Sequence, residues 1–241
     1  MNEKCSYPCF WEQRESPKKT KEHPDKLELI CFDMDGVLID IGSSWKFVHD
    51  YFHCTNNASV NAYLHGEISD EEFIRRDLAL WKENGEFTTR ETIENLFTSV
   101  ELMQGAQSLF QFLKKRKIRT AIVSAGIDIV AQKIGTMLDI DTILANGFIV
   151  DSKNRLTGEG KLSVRLIQKD QAIYTLSKNK QIPLRNCAAV GNSCFDIPMF
   201  EVCGLGIAFN PADDCVKDAA DYVIDNKNLE NLIPILEKFC L

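Results

Sequence analysis

The chain has 241 residues, 44% hydrophobic and 26% charged, enough to bury a core in one large domain or in a main domain with a smaller one. A formal net charge of −7 with no compensating basic stripe argues against a nucleic-acid partner. Nine cysteines in no secreted framework, no early apolar run after a basic start and nothing near eighteen apolar residues in a row make a cytoplasmic chain with no membrane partner the expectation.

In chain order, Met1–Lys26 is charged and broken by Pro8, Pro17 and Pro24, and reads as a loosely ordered extension with a short helix at Phe10–Arg14. Cys5, Cys9 and His23 match no strong zinc spacing. Leu27–Asp40, LELICFDMDGVLID, is an apolar run ending in Asp33-Met34-Asp35-Gly36, the pattern of a buried parallel strand with two acids at its carboxyl end. Trp45–Phe52 is a helix capped by Ser43 or Ser44, and His49 and His53 within it, lacking a third ligand, read as ordinary polar positions. Ser69 and Glu72 form a capping box for a helix whose Phe73, Ile74, Asp77, Leu78 and Trp81 share a face, with Arg75 at its margin. Thr89–Val100 is a further helix. Residues 41–102 thus read as a helical insert without a convincing strand, lid-like between two parts of a core at 27–40 and 103–241.

From Gly105 the order is regular. Helices are expected at Ala106–Lys117, Ile127–Leu138, Val164–Lys178, Ile197–Val202, Asp213–Ala219 and Leu229–Phe239. Strands are expected at Arg119–Val123, Thr142–Ala145, Cys187–Val190, Leu205–Phe209 and Tyr222–Ile224, with a hairpin over Phe148–Leu156. Short apolar strands alternating with helices predict an α/β fold, a doubly wound parallel sheet. If the strands ending at Phe32, Val123 and Val190 are parallel neighbours, their exit loops meet. They would bring together two carboxylates, the Ser124 hydroxyl with free helix amides, and Asn192 with Asp196. Ser124 alone also reads as an N-cap, and Asn192 with Asp196 as a turn and a cap. Lys161 in Gly158-Glu159-Gly160-Lys161, which is not a P-loop, and Lys169 are the cations within reach of that edge; spacing alone leaves both solvated.

Asp33-Met34-Asp35-Gly36-Val37-Leu38, Val123-Ser124-Ala125-Gly126, Lys169-Asp170 and Gly191-Asn192-Ser193-Cys194-Phe195-Asp196 together resemble the four motifs of haloacid-dehalogenase-type phosphatases. The likeness runs from about Leu27 to Phe239 and is greatest to the phosphoserine-phosphatase-like group with a small helical cap. It implies a Rossmann-like core with an inserted cap, and Asp33 as a nucleophile forming an aspartyl-phosphate. Asp35 would be the acid and then the base, and Ser124, Ala125 N–H and Lys169 the clamp on the phosphoryl oxygens. It also implies Mg²⁺ held by Asp33, the Asp35 carbonyl, Asn192 and water, with Asp196 at or just behind the metal, and Arg75 as a reader of a substrate carboxylate.

Three positions depart from the family pattern. Asn192 stands where an aspartate is usual, Phe195 where an asparagine is usual, and Gly42 where a glutamate reads the serine amine. The expectation is a Mg²⁺-dependent phosphomonoesterase for a small metabolite bearing an acid group, acting as a monomer or homodimer. Phosphoserine phosphatase proper and a catalytically weak phosphatase-like binding protein are the alternatives.

Overall fold

Four consecutive buried residues, Leu29–Phe32 (β1), lie at the centre of the sheet in a computed structural model that describes residues 23–240. The expected Phe10–Arg14 helix and the Cys5 and Cys9 thiols lie outside the described residues; His23 is exposed, with its ring beside Phe239. The sheet runs β6-β5-β4-β1-β7-β8-β9, with β4 Arg119–Ile127, β5 Thr142–Val150, β6 Leu156–Lys161, β7 Cys187–Gly191, β8 Leu205–Phe209 and β9 Tyr222–Ile224. Every neighbouring pair is parallel except β5 and β6, the predicted hairpin at one edge.

Alternation along β1 decides its two faces. Ile30 and Phe32 enter a core with α5 (Ala106–Lys115) and α6 (Asp128–Leu138), where Phe32 meets Phe110 at 5.1 Å between ring centres. Leu29 and Cys31 enter the opposite core with α7 (Lys169–Lys180), α8 (Ile197–Val202) and α9 (Asp214–Ala219). Helices therefore cover both faces, as the alternating pattern predicted. The closing helix is instead broken into α10 (Ile233–Leu236) flanked by 3₁₀ turns.

Between β1 and β4 stand α1 (Ser44–Tyr51), α2 (Asn57–Leu64), α3 (Asp70–Ala79) and α4 (Arg90–Leu96), which build the helical cap. Ser43 caps α1 and Ser69 caps α3, each accepting a backbone N–H through its side chain. The expected box at Ser69 is only half made, because Glu72 turns its carboxylate to Arg75 and Arg76. Two elements escaped the sequence reading: α2, and a small antiparallel hairpin of β2 (Lys82–Glu83) and β3 (Glu86–Phe87). The hairpin turns on Asn84-Gly85, both at positive φ, and Asn-Gly is the strongest short signal for such a turn. His49 is buried rather than solvated: its Nδ1 accepts the Trp81 indole N–H at 2.9 Å, while His53 is exposed and the two share no site.

The cap is fastened to the core through α3. Asp70 Oδ1 accepts both Tyr63 O–H at 2.7 Å and Leu166 N–H at 3.0 Å, and its Oδ2 lies 3.2 Å from Arg165. Ile74 packs so close over Gly160 that a β-carbon there would lie 2.3 Å from its methyl. These contacts reshape the predicted Val164–Lys178 helix, which starts only at Lys169. Asn146 Oδ1 takes the N–H groups of Ser163 and Val164 and Asp70 takes that of Leu166, so the preceding residues are held as a loop.

Candidate active site

β1 is hydrogen-bonded to β4 on one side and β7 on the other, with Phe32 opposite both Ile122 and Val190. That register brings the three predicted exits together, and Asp33 N–H continues the ladder to Val190 C=O at 2.9 Å. Asp33 Oδ1 accepts the adjacent Met34 N–H at 2.8 Å, and its Oδ2 lies 3.1 Å from Lys169 Nζ. Lys169, the first residue of α7, is 2% exposed and donates to Asp196 Oδ1 at 2.7 Å. Of the two candidate cations it is therefore the one at the site. Lys161 is exposed, 4.0 Å from Asp128.

Both oxygens of Asp196 are engaged. Its Oδ2 accepts Asn192 N–H at 2.9 Å, Ser193 N–H at 3.0 Å and Ser193 O–H at 3.2 Å, while Oδ1 holds the lysine. It fixes the loop after β7 and aims Lys169. Asn192 places its side chain against the first motif. Gly36 has φ +74°, which favours glycine, and the Asn192 amide packs so close that a β-carbon there would sit 2.1 Å from Nδ2 and push it aside.

Burial makes both motif acids readier to hold a proton. Asp33 is raised from 3.8 to about 6 by burial, against the pull of Lys169 and with a further push from Asp196. Asp35 is raised to about 7, again by burial and then by the Asp33 charge, although Ser44 hydrogen bonds oppose the rise. For Lys169 burial works against the charge, but Asp196 and Asp33 outweigh it and hold the ammonium above the ordinary lysine value. The site therefore has a permanent cation and two buried carboxyls whose proton affinity is raised, with the Lys169 ammonium in contact with Asp33.

The oxygens of Asp35 differ. Oδ2 accepts Ser44 N–H at 2.7 Å and Ser44 O–H at 2.8 Å, whereas Oδ1 is buried with no partner. Ser124 does not cap a helix as expected: β4 runs through Ile127, α6 begins at Asp128, and Ser124 Oγ accepts Gly126 N–H at 3.0 Å, with the hydroxyl lowering the proton affinity of Asp33. The neighbouring Ala125 carbonyl is held by Trp45 Nε1–H at 2.9 Å and Asn146 Nδ2–H at 3.3 Å, pinning the Ser124–Gly126 bend between cap and core.

Among the described residues no three His, Cys, Asp or Glu side chains are grouped to hold a metal. The donor set at β1 and β7 is one carboxylate, Asp33, the Asn192 amide and main-chain oxygens. Hard oxygen donors, few of them charged, fit Mg²⁺, which binds few protein groups and keeps several waters.

The model of haloacid dehalogenase-like hydrolases matches residues 30–201, which include all four motifs. The chain belongs to this family. It is 29% identical over 220 residues to the phosphoserine phosphatase of Methanocaldococcus jannaschii, covering 88% of this chain and 99% of that protein. It is 32% identical over 180 residues to the Lactococcus lactis enzyme of the same name, covering 73% and 80%. Against the Archaeoglobus fulgidus phosphoserine phosphatase it is 28% identical over 218 residues and spans 60% of that longer protein. Its fold superposes with TM-score 0.73 on a phospho-aspartyl intermediate analogue of phosphoserine phosphatase, at 27% identity and covering 87% and 99% of the two chains. The same score relates it to a substrate-bound phosphoserine phosphatase complex, at 26% identity. The chain is a phosphomonoester hydrolase of this family, of the kind that works through an aspartyl-phosphate on a small phosphorylated substrate.

Asp33, Asp35, Ser124, Ala125, Lys169, Asn192 and Asp196 are thus gathered at one sheet edge. Arg75 is not with them: its side chain is 53% exposed and paired to Glu72 at 2.6 Å on the solvent side of α3. The expected substrate acid group rested on Arg75 facing Asp33, and it loses that support. Ser44 is the residue the sequence reading missed. It stood out only as a helix cap, and its contact with Asp35 spans nine positions with no periodic signature.

Proposed function

We propose that the protein hydrolyses the phosphomonoester of a small hydroxy amino acid, with L-phosphoserine the first substrate to test. The observation that carries the chemistry is the Asp33–Asp35 pair: one carboxyl held beside a buried ammonium, the other with one oxygen doubly bonded and the other buried without a partner. The phosphoserine phosphatases matched over most of this chain support the substrate class. Arg75 on the outer face takes away the expected carboxylate reader, which weighs equally on phosphoserine and on any other acid-bearing ester.

Asp33 Oδ2 attacks phosphorus, and Asp35 gives its proton to the leaving oxygen as the P–O bond breaks. In the second half Asp35 takes a proton from water as that water attacks the aspartyl-phosphate and frees Asp33. Lys169 and the Ser124 hydroxyl bind phosphoryl oxygens, and their value lies in being fixed before charge develops. Mg²⁺ would be held by the Asp33 carboxylate, the Asp35 main-chain carbonyl and the Asn192 amide oxygen. When bound it supplies positive charge against the phosphoryl oxygens. Gly42 faces open space, so the amine reader absent from that position has to come from another cap residue.

Steady-state hydrolysis of a panel of phosphorylated metabolites with saturating Mg²⁺ tests this reading. L-phosphoserine should give the highest kcat/KM, and Asp33→Asn should lower it by at least about a thousandfold. Preference for a sugar phosphate would overturn the substrate, and equal turnover by wild type and Asp33→Asn would overturn the mechanism.

A further inference from the structure

Ser44 is fully buried at the first position of α1, although Ser43 already supplies the cap by accepting Lys46 N–H. Its hydroxyl serves something else. The Ser44 N–H and O–H both donate to Asp35 Oδ2, at 2.7 and 2.8 Å, and Ser44 Oγ in turn accepts Ile127 N–H at 3.0 Å. A short relay therefore runs from the end of β4, through the first residue of the cap, to one oxygen of the acid. No side chain can replace Ser44 from the β4 side: a β-carbon at Gly126 would lie 2.9 Å from both Asp35 Oδ2 and Ser44 Oγ.

The direction of the relay is fixed by chemistry. Ile127 N–H can only donate, so Ser44 Oγ receives it and spends its own hydrogen on Asp35. An oxygen already accepting two hydrogens cannot carry a proton without expelling one of the donors. The Asp35 proton is left with Oδ1, the buried oxygen without a partner.

We infer that Ser44 is a positioning residue for the general acid: by occupying Oδ2 from two sides it assigns the transferable proton to Oδ1 and holds the carboxyl in the plane that offers it to the leaving oxygen. The inference rests on Asp35 being the acid, as read above. In the step concerned the Asp35 Oδ1–H bond breaks as the leaving oxygen gains that proton, the P–O bond breaks and the Asp33 Oδ2–P bond forms. The carboxylate charge that appears on Asp35 is stabilised by the two Ser44 donors. Because Ser44 belongs to α1 and Ile127 to β4, the acid is correctly set only while the first turn of the cap lies against the core.

The test uses leaving groups rather than the natural substrate, so it does not depend on which metabolite is hydrolysed. The kcat/KM of the Mg²⁺-loaded full chain is measured for p-nitrophenyl, phenyl and benzyl phosphate, a series in which the departing oxygen needs a proton increasingly. Ser44→Ala should lower the benzyl ester by about 10- to 100-fold and the p-nitrophenyl ester by less than about threefold. Ser44→Cys, close in size but a weak donor, should fall between and guards against a folding failure of the alanine variant. In an Asp35→Asn background, Ser44→Ala should produce no additional leaving-group discrimination. An equal drop for all three esters would make Ser44 merely structural and overturn the inference while leaving the phosphatase reading intact. Equal turnover by wild type and Asp33→Asn would overturn that reading and the inference with it.

Discussion

Lys169, Asp33 and Asp196 at the core edge keep 2%, 8% and 0% of their side-chain surface, whereas Arg75, Arg76 and Glu72 on α3 keep 53%, 44% and 27%. Both triads are ion pairs at similar distances, and on paper both are a cation–carboxylate spacing. In the core the charges have lost their water, so each depends on the others and the geometry is held by further bonds from Asn192 and Ser193 to Asp196. On the cap the same chemistry is solvated, and water screens the charges so that neither partner depends on the other. Contact distance alone thus says little about function; burial tells the two apart.

Removing the central cation is the hardest blow to that contrast. Lys169→Met strands Asp33 and Asp196 without a counter-charge and should cost about 3–5 kcal/mol, read from urea denaturation midpoints, along with most of the turnover. A loss no larger than that of Arg76→Met would erase the distinction between the triads. The Asp35→Asn variant sharpens it through pH. With Asp35 raised from 3.8 to about 7, the metal-free folded state keeps a proton that the unfolded chain releases between about pH 4 and pH 7. Stability contributed at this position therefore falls as pH rises through that window. Asp35→Asn should raise the unfolding free energy clearly above about pH 7, by an amount on the order of a few kcal/mol, and raise it hardly at all near pH 4, with the Tm following in the same sense. A Tm gain independent of pH would mean the carboxyl is not strained by burial.

A smaller effect is expected at the neutral donor. Asn192→Asp restores a carboxylate beside Asp33 and should tighten Mg²⁺ binding by about tenfold in a calorimetric titration. An unchanged affinity would remove Asn192 from the metal. Arg75→Ala should do least, changing kcat/KM for phosphoserine by less than about twofold. A large loss would show that the arginine swings inward when substrate is present.

Much of the fold was written in local patterns. The apolar run before Asp33, the short apolar strands and the helices between them predicted the sheet, and the parallel neighbours β4, β1 and β7 bring their exits together. What stayed hidden depended on contacts across the chain. The false start of α7 came from Asn146 and Asp70 taking backbone donors 17 to 96 residues away, which no local propensity registers. The direction in which Arg75 points was decided by Glu72 and by the buried stripe Asp70, Ile74, Asp77 and Leu78 turning toward the rest of the protein. The missed hairpin is different, for Asn84-Gly85 was in plain view between Glu83 and Glu86.

Asp70 clasps the Leu166 amide three residues before Lys169, so a hydrogen bond spans the seam between α3 and the segment that carries the buried Lys169 ammonium. Lifting α3 from the core exposes that amide to solvent, while the amides of β1 stay locked in the centre of the sheet. In deuterium the two sets separate in time: the Leu166 amide exchanges at the free energy of opening the seam, and the β1 amides at that of global unfolding. A single backbone hydrogen thereby reports how often this seam opens, separately from global unfolding.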